Sequence, residues 1–271
     1  MNNTINSHIQ NSRFLINEFR ISQADGQVHI LNLNDYTLSR KGPRELGTEL
    51  GYFDDETEKY LSKEYEGPLS VLLTKIKEDN NYNISVSDAN TIADFLVVLF
   101  ARNPDILPKT YNQTVIAKGL GITITPSNIV QICKKTDLRN KFFDDHYPVI
   151  LINNTSTNFI SSIKGCAFVM NKETKKTTWY LPLTPKLGIF FVNNDDWEKI
   201  FNKATHMDLN DKESIDYYND LIAQCEIQDI KDAIDDQHKN FYLFSSTKDE
   251  LITIKDKYKN NVTSVTPVTC H

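Results

Sequence analysis

The sequence predicts an α+β protein: a helix-rich N-terminal half, then a mainly antiparallel sheet and a long C-terminal helix. The hydrophobic period changes near His146, where apolar residues at helical spacing give way to alternation. The strand-like segments that follow are short and closely spaced, which favours antiparallel pairing. Helices and strands are segregated along the chain, a pattern typical of α+β folds rather than of wound parallel sheets.

Helical periodicity dominates from residue 56 onward, whereas residues 8–20 show neither a clear helix nor a clear strand. Gly67-Pro68 interrupts the first helical stretch and predicts a kink or two separate helices. Ser87 is predicted to cap the next helix, which is apolar nearly all round and therefore centrally buried. The predicted helices of this half cover 56–78, Ser87–Arg102, 108–119 and Pro126 to about Phe143.

Alternating apolar residues predict the strands, and Asn171–Thr174 is predicted to form a hairpin turn between two of them. The long helix is predicted over 208–238 and a short helix over 248–257. The predicted strands are Gln27–Leu33, Val149–Ile152, Phe159–Ser161, Gly165–Met170, Thr177–Leu181, Leu187–Val192 and Phe241–Phe244.

Length and composition are those of an ordinary globular protein. The chain has 271 residues, of which 39% are hydrophobic and 24% charged. We expect a single domain over 1–258, or two lobes that share an interface with a boundary near 146. Residues 259–271 are polar and rich in threonine, and we expect a frayed tail there.

The net charge and the spacing of the cysteines indicate which cellular compartment and which classes of partner to expect. The net charge of -6 argues against tight, non-specific binding of nucleic acid, although the charge does not exclude a local basic groove. The four cysteines are far apart in sequence and no signal peptide is visible, so we expect reduced thiols in the cytoplasm. The most apolar run, Ile92–Ala101, is much shorter than the ~20 residues that cross a bilayer, so no membrane partner is expected.

The sequence contains no glycine-rich phosphate loop, no G-x-S-x-G motif and no H-E-x-x-H motif, and it identifies no cofactor. Asp144-Asp145-His146 combines two carboxylates with an imidazole, which suits either metal binding or a solvated helix end. His8 and Arg13 could together handle a phosphate, the guanidinium holding the anion and the imidazole moving a proton, or both could be structural.

Several segments, in order, resemble the bacterial domain-of-unknown-function family 4238. His8–Phe19, HIQNSRFLINEF, resembles its N-terminal H-x-x-P-R-F-x-L-x-x-F signature, and Ala101–Pro104 resembles its A-R-T-P. Asn158–Ser162 is similar to its F-x-T-S-D-N-P element, and Leu181–Pro185 to its P-L-S-P strand. The stretch from Gln237 through Phe241–Ser246 resembles its closing N-x-x-Q…Y-S-S region.

The departures from the family pattern fall at the motif residues themselves. Ile9 stands where the family has its histidine, Ser12 replaces a proline, Ile163 an aspartate and Gly165 a proline. If the family residues are catalytic, this copy has lost activity; if they are structural, nothing is lost. The resemblance implies a bacterial or mobile-element protein, of a kind that often travels with phage-defence genes.

Two functions follow as hypotheses. The first is a nucleic-acid-directed, ribonuclease-like effector, or its inactive relative, with His8 as acid/base, Arg13 and Arg102 holding phosphate, and Glu66 as partner. Whether the protein is an enzyme stays open, and no metal ligands are predicted. The alternative is a non-catalytic module that binds a protein or a small ligand. A cleft where histidine, arginine and carboxylate converge would favour the effector, and a pocket with few titratable residues would favour the module.

Overall fold

The fold is α+β, as the hydrophobic periods predict. It was determined as a computed structural model, which describes residues 6–8, 12–46, 48–50, 53–79, 81–101, 143, 145–170, 177–199, 201–232 and 241–259. The chain forms two compact units: unit 1 comprises Met1–Ser12 and Gly47–Asp144, and unit 2 comprises Arg13–Leu46 and Asp145–His271. The predicted domain bounds stay a prediction.

Unit 1 contains a two-stranded antiparallel ribbon and three helices among its described residues. A small apolar cluster of Phe53, Leu61 and Val98 lies among these helices. Its elements are β1 (Asn6–His8), β4 (Thr48–Leu50), α2 (Asp55–Leu61), α3 (Gly67–Glu78) and α4 (Val86–Ala101).

The predicted break at Gly67-Pro68 is confirmed. A wider, π-helical turn over Ser62–Glu66 separates α2 from α3, and the Gly67 N–H donates to the carbonyl of Ser62, five residues earlier. Pro68 has no N–H to continue the ordinary ladder, so the hydrogen-bond pattern changes just before it.

The start of α4 differs from the prediction by two residues. Ser85, not Ser87, is the cap: its hydroxyl accepts from the Asp88 N–H at 3.2 Å, while the Asp88 carboxylate accepts from the Ser85 N–H at 3.0 Å. This reciprocal capping box satisfies two N–H groups, whereas a cap at Ser87 would have one acceptor only.

Unit 2 contains two sheets. In the five-stranded sheet the strand order is β10-β5-β9-β8-β7, and in the four-stranded sheet it is β3-β2-β11-β6. All neighbours pair antiparallel except β10 and β5, which are parallel. The strands are β2 (Val28–Asn32), β3 (Thr37–Lys41), β5 (His146–Asn153), β6 (Ser161–Ser162), β7 (Ala167–Met170), β8 (Thr177–Pro182), β9 (Leu187–Asn193), β10 (His206–Leu209) and β11 (Tyr242–Ser245).

The two central strands of the four-stranded sheet, β2 and β11, are buried on both faces, whereas the edge strand β3 is mostly exposed. Val28 and Ile30 of β2 pack in one cluster with Ile16 and Phe19. Ile16 belongs to α1 (Arg13–Glu18), and Phe19 directly follows this helix. Leu31, on the opposite face of β2, joins the main core. That core also takes in both sheets and the helices α6 (Lys212–Asp232) and α7 (Asp249–Lys259). The region at 8–20, which had no clear pattern, therefore contains a helix. A short helix, α5 (Asn194–Lys199), lies between β9 and β10.

One close approach in the five-stranded sheet requires a glycine. A Cβ added to Gly188 of β9 would lie 2.8 Å from a ring carbon of Tyr180, which belongs to the neighbouring strand β8. The Tyr180 ring lies across the backbone of β9 and is fully buried. A side chain at position 188 would push this ring out of the core.

The long helix forms within the predicted range 208–238, but it is not the C-terminal helix. α6 has 21 residues, but it is followed by β11 and by α7, which has 11 residues and is the last helix described. Between residues 6 and 259, no helix that the structure describes is long and apolar enough to cross a membrane. The predicted helices at 108–119 and from Pro126, the turn at Asn171–Thr174 and the tail after Lys259 lie outside the described residues.

Candidate functional site: a polar cleft between α6 and α7

The segment from Asn158 to Gly165 is held by side chains of α6. The buried Asn219 amide donates to the carbonyl of Asn158 at 2.9 Å and accepts from the Ile160 N–H at 2.8 Å. Two turns later, the buried Glu226 accepts from the Lys164 N–H at 3.2 Å. Buried main-chain groups must have hydrogen-bond partners. In this segment polar side chains of α6 provide the partners that a neighbouring strand would otherwise provide.

Glu250 in the first turn of α7 fixes the start of the same segment. It is 7% exposed, and it accepts from the Asn158 N–H at 2.8 Å and from the hydroxyls of Ser245 and Thr247. The Asn158 side chain in turn donates to the hydroxyls of Ser246 and Thr247. Both helices and the end of β11 therefore hold Asn158 in one position.

Three of the segments that carry the family resemblance meet here. The Phe159 N–H donates to the carbonyl of Pro185 at 3.0 Å, which joins the segment 158–162 to the segment 181–185. Ser161 pairs with Phe244 in the four-stranded sheet, which adds the segment 241–246. Residues 158–165, 181–185 and 241–246 thus form one structural unit, which we call the frame.

The departures at Ile163 and Gly165 have structural roles in this chain. Ile163 is buried in the core and its N–H donates to the carbonyl of Tyr242 at 3.1 Å. Gly165 has a φ of 80°, which proline cannot adopt because its ring holds φ near -65°. A proline at position 165 would therefore require a different backbone.

A cleft opens beside this frame, between the exposed faces of α6 and α7. Its volume is about 480 Å³, and Ser156 and Thr157 form one end of it. On each helix the lining residues lie on one helical face, at spacings of one, three or four residues. The lining consists of Ser156, Thr157, Lys212, Asp216, Asn219, Asp220, Asp249, Glu250, Thr253, Ile254 and Lys257.

The cleft is polar and has an excess of negative charge. Four carboxylates, Asp216, Asp220, Asp249 and Glu250, face two ammonium groups, Lys212 and Lys257. Its lining contains no histidine or arginine among the residues that the structure describes. A negative surface attracts cations and repels phosphate, so this cleft is unsuited to holding a nucleic-acid backbone.

Asp220 joins the two helices across the cleft. Its Oδ1 accepts from Lys257 Nζ at 2.7 Å and from the Tyr258 hydroxyl at 2.5 Å, both on α7. Its Oδ2 accepts from the Gln224 amide on its own helix. Burial, and next the hydrogen bond to Asp220, raise the pKa of Tyr258 well above its usual value. Tyr258 therefore keeps its proton and acts as a donor.

The loop before the frame is closed by Asn153 and Lys186. The Asn153 amide donates to the carbonyls of Thr157 and Pro185, and Lys186 Nζ donates to the carbonyl of Thr155 at 2.6 Å. Burial lowers the pKa of Lys186, while the charge of Glu250 opposes this shift. The end of the cleft is therefore a braced turn, and its hydroxyls have a defined position.

The predicted catalytic set is distributed over both units. His8 ends β1, where it pairs with Thr48, and Glu66 is half-buried in the π-helical turn; both belong to unit 1. Arg13 is exposed at the start of α1 in unit 2, and Arg102 lies outside the described residues. A joint phosphate site of these four residues stays a prediction.

The other candidate groups have structural surroundings. His146 begins β5, and its Nε2 lies 2.8 Å from the carbonyl of Thr177. Asp145 is exposed, and within the described part of the chain no three histidine, cysteine or acidic side chains are placed to hold a metal ion. Burial raises the pKa of the Cys166 thiol to about 12, so this thiol stays protonated and is a poor nucleophile.

Comparison with known proteins gives no information about the function of the cleft. No family model, no curated protein and no solved structure matches the chain.

The cleft residues were missed in the sequence, although a signal was present. Lys212, Asp216 and Asp220 recur every fourth residue on α6, and Asp249, Thr253 and Lys257 do so on α7. Such spacing predicts one polar face on each helix. It does not predict that the two faces flank one cleft, because that depends on how both helices pack on the sheets.

Proposed function

We propose that this protein is a non-catalytic binding module that holds a small polar ligand in the cleft between α6 and α7. The observation that carries the proposal is a cleft of about 480 Å³ beside a frame whose main-chain groups at Asn158, Ile160 and Lys164 are held by helix side chains. Sites for small molecules typically have volumes of roughly 300–1,000 Å³. A rigid wall reduces the entropy that a site loses on binding.

The chemistry of the lining supports binding rather than catalysis. Both carboxylate oxygens of Glu250 and both polar atoms of the Asn219 amide are committed to the frame. Asp216 and Asp220 are paired with Lys212 and Lys257, at 2.5 and 2.7 Å. A general base needs a free carboxylate or imidazole near a reacting group. These groups are instead suited to recognising charge and hydrogen bonds.

Thermal melting with a panel of small amines, dicarboxylates, sugars and nucleosides tests this function. Thr253 lines the cleft, so Thr253→Trp fills it; Asp256→Trp puts the same side chain on the same helix outside the lining. At a hundredfold excess over its Kd, a ligand stabilises by about 2.7 kcal/mol, a shift of roughly 5–10 °C. We expect that shift in the wild type and Asp256→Trp but not in Thr253→Trp. A panel without any shift, or a shift retained in Thr253→Trp, would reject the cleft as the site.

The other hypothesis, a nucleic-acid-directed, ribonuclease-like effector in phage defence or its inactive relative, rests on the resemblance and stays a prediction. Induced expression with measurement of growth and RNA integrity tests it. A toxic nuclease would slow growth and degrade RNA, and the variant His8→Ala would restore both. Normal growth with intact RNA would count against a nuclease.

A further inference from the structure

The Asp220–Lys257 pair is unequally buried. The Asp220 side chain is 17% exposed, whereas that of Lys257 is 51% exposed. A carboxylate that is largely removed from water needs a cation or several donors, and Asp220 has Lys257, Tyr258 and Gln224. Two of these donors are neutral, so Lys257 supplies the only positive charge in direct contact with Asp220 among the described residues.

Lys257 reaches Asp220 from the opposite wall of the cleft at the end of a flexible side chain. Its Nζ lies 5.4 Å from the centre of the Tyr258 ring, so an aromatic face and a carboxylate together surround the ammonium. Exposed ion pairs of this kind are weak and exchange easily, because water and other cations compete for them.

We propose that the cleft binds a small aliphatic diamine or polyamine, and that an ammonium of this ligand replaces Lys257 on Asp220. The proposal rests on the proposed function, since it names the ligand class for the same cleft. The Tyr258 hydroxyl and the Gln224 amide hold the carboxylate in place during the exchange. Asp249, on the α7 wall, is placed for the second ammonium, and Ile254, which lines the cleft at 4% exposure, is the apolar residue beside the methylene chain.

In this arrangement Lys257 acts as a built-in competitor that lowers the affinity for the ligand. Its removal frees Asp220 and adds one net negative charge to the cleft. A variant that lacks the Lys257 ammonium must therefore bind the amine more tightly than the wild type. Loss of an ordinary contact residue would instead weaken binding.

Isothermal titration calorimetry of the full chain with spermidine and with 1,4-diaminobutane tests the exchange. We expect Lys257→Met to bind about two- to fivefold more tightly than the wild type, the range set by the strength of an exposed ion pair. Lys257→Gln provides a second, polar replacement with the same expectation. Asp220→Asn should bind at least about tenfold more weakly, and Lys255→Met, on the same helix outside the lining, should leave the affinity unchanged.

The outcomes separate the two proposals. Spermidine binding with the same Kd in the wild type, Lys257→Met and Lys257→Gln would overturn the exchange while the cleft remained a binding site. Absence of amine binding, together with a cleft-dependent shift by a sugar, nucleoside or dicarboxylate, would overturn the ligand class alone. Glutarate, a diacid of similar length, must not bind more tightly than spermidine; if it does, the charge argument is wrong.

Discussion

Asn219 and Asp220 are neighbours on α6, yet they hold different kinds of partner. Asn219 is 3% exposed and bonds two main-chain groups, the carbonyl of Asn158 and the N–H of Ile160. Asp220 bonds the side chains of Lys257, Tyr258 and Gln224. Both residues line the cleft, but Asn219 bonds the main chain of the segment beside it, whereas Asp220 reaches across to α7.

The contrast separates fold from binding on one helix. Main-chain groups beside Asn219 have no alternative partner once the side chain is lost, so they would carry the full cost of desolvation. The ammonium on Asp220 can return to water, and the carboxylate can accept another cation. Two hydrogen bonds to main chain therefore give high stability at 219, whereas three hydrogen bonds to side chains leave the partner at 220 exchangeable.

The largest effect is expected at the frame. Asn219→Ala leaves the Asn158 carbonyl and the Ile160 N–H without partners, so we expect a loss of about 2–4 kcal/mol in the free energy of unfolding. Asn154→Ala is the matched control, because Asn154 also makes two hydrogen bonds, to Asp208 and Asn210, but on the surface. Urea unfolding should show a change within about 0.5 kcal/mol for this control. Equal losses in both variants would remove the distinction between frame and cleft.

A substitution at Glu250 tests whether both oxygens of this side chain must be hydrogen-bond acceptors for the frame to be stable. In Glu250→Gln the remaining oxygen can still accept from the Asn158 N–H, but the new NH₂ group faces the hydroxyls of Ser245 and Thr247, which must turn from donating to accepting, and the charge of the acceptor is lost. We expect about 1–3 kcal/mol less stability. Glu213→Gln makes the same change in the exposed first turn of α6 and should cost far less. A Glu250→Gln protein as stable as the wild type would show that Glu250 belongs to the cleft and not to the frame.

The bridge across the cleft should have a smaller effect on stability. Lys257→Met removes an exposed ion pair, so we expect a loss of at most about 1 kcal/mol that disappears in 1 M NaCl. Chemical unfolding at low and high salt measures this difference, with Lys255→Met as reference. A loss above about 2 kcal/mol at both salt concentrations would mean that the bridge is part of the core of unit 2.

The smallest effect is expected at Lys212. Its pair with Asp216 lies within α6 at a spacing of four, with the lysine on the N-terminal side. That order is the weaker one, and a cation in the first turn opposes the helix dipole. Lys212→Met should therefore change the unfolding free energy by less than about 0.5 kcal/mol. A clear destabilisation would show that this pair, too, holds the cleft together.

Much of unit 2 follows from the sequence because alternation and length are local properties. The predicted strands at 149–152, 177–181 and 187–192 are confirmed; the first is four residues longer than predicted and the other two are each one residue longer. The predicted strand Phe159–Ser161 is wrong for its first two residues. Phe159 and Ile160 are apolar and alternate well, but their N–H groups bond Pro185 and Asn219 instead of a strand.

The candidate site shows the opposite result. His8, Arg13, Arg102 and Glu66 came from residue chemistry and resemblance, and neither says which segments meet in space. The sequence did not identify Asn219 and Glu250, because residue type alone does not distinguish a buried polar side chain that binds main chain from an exposed one. Their role depends on contacts between residues 60 to 90 positions apart, which no local pattern contains.

The contact of Tyr180 with Gly188 has a consequence for how this fold can vary among descendants of one ancestor. The two positions must change together: a residue with a Cβ at 188 is compatible only with a smaller side chain at 180. A lineage that loses the glycine first passes through a poorly packed intermediate. Alignments of divergent copies should therefore show paired substitutions at these two sites, with glycine and tyrosine inherited as a unit.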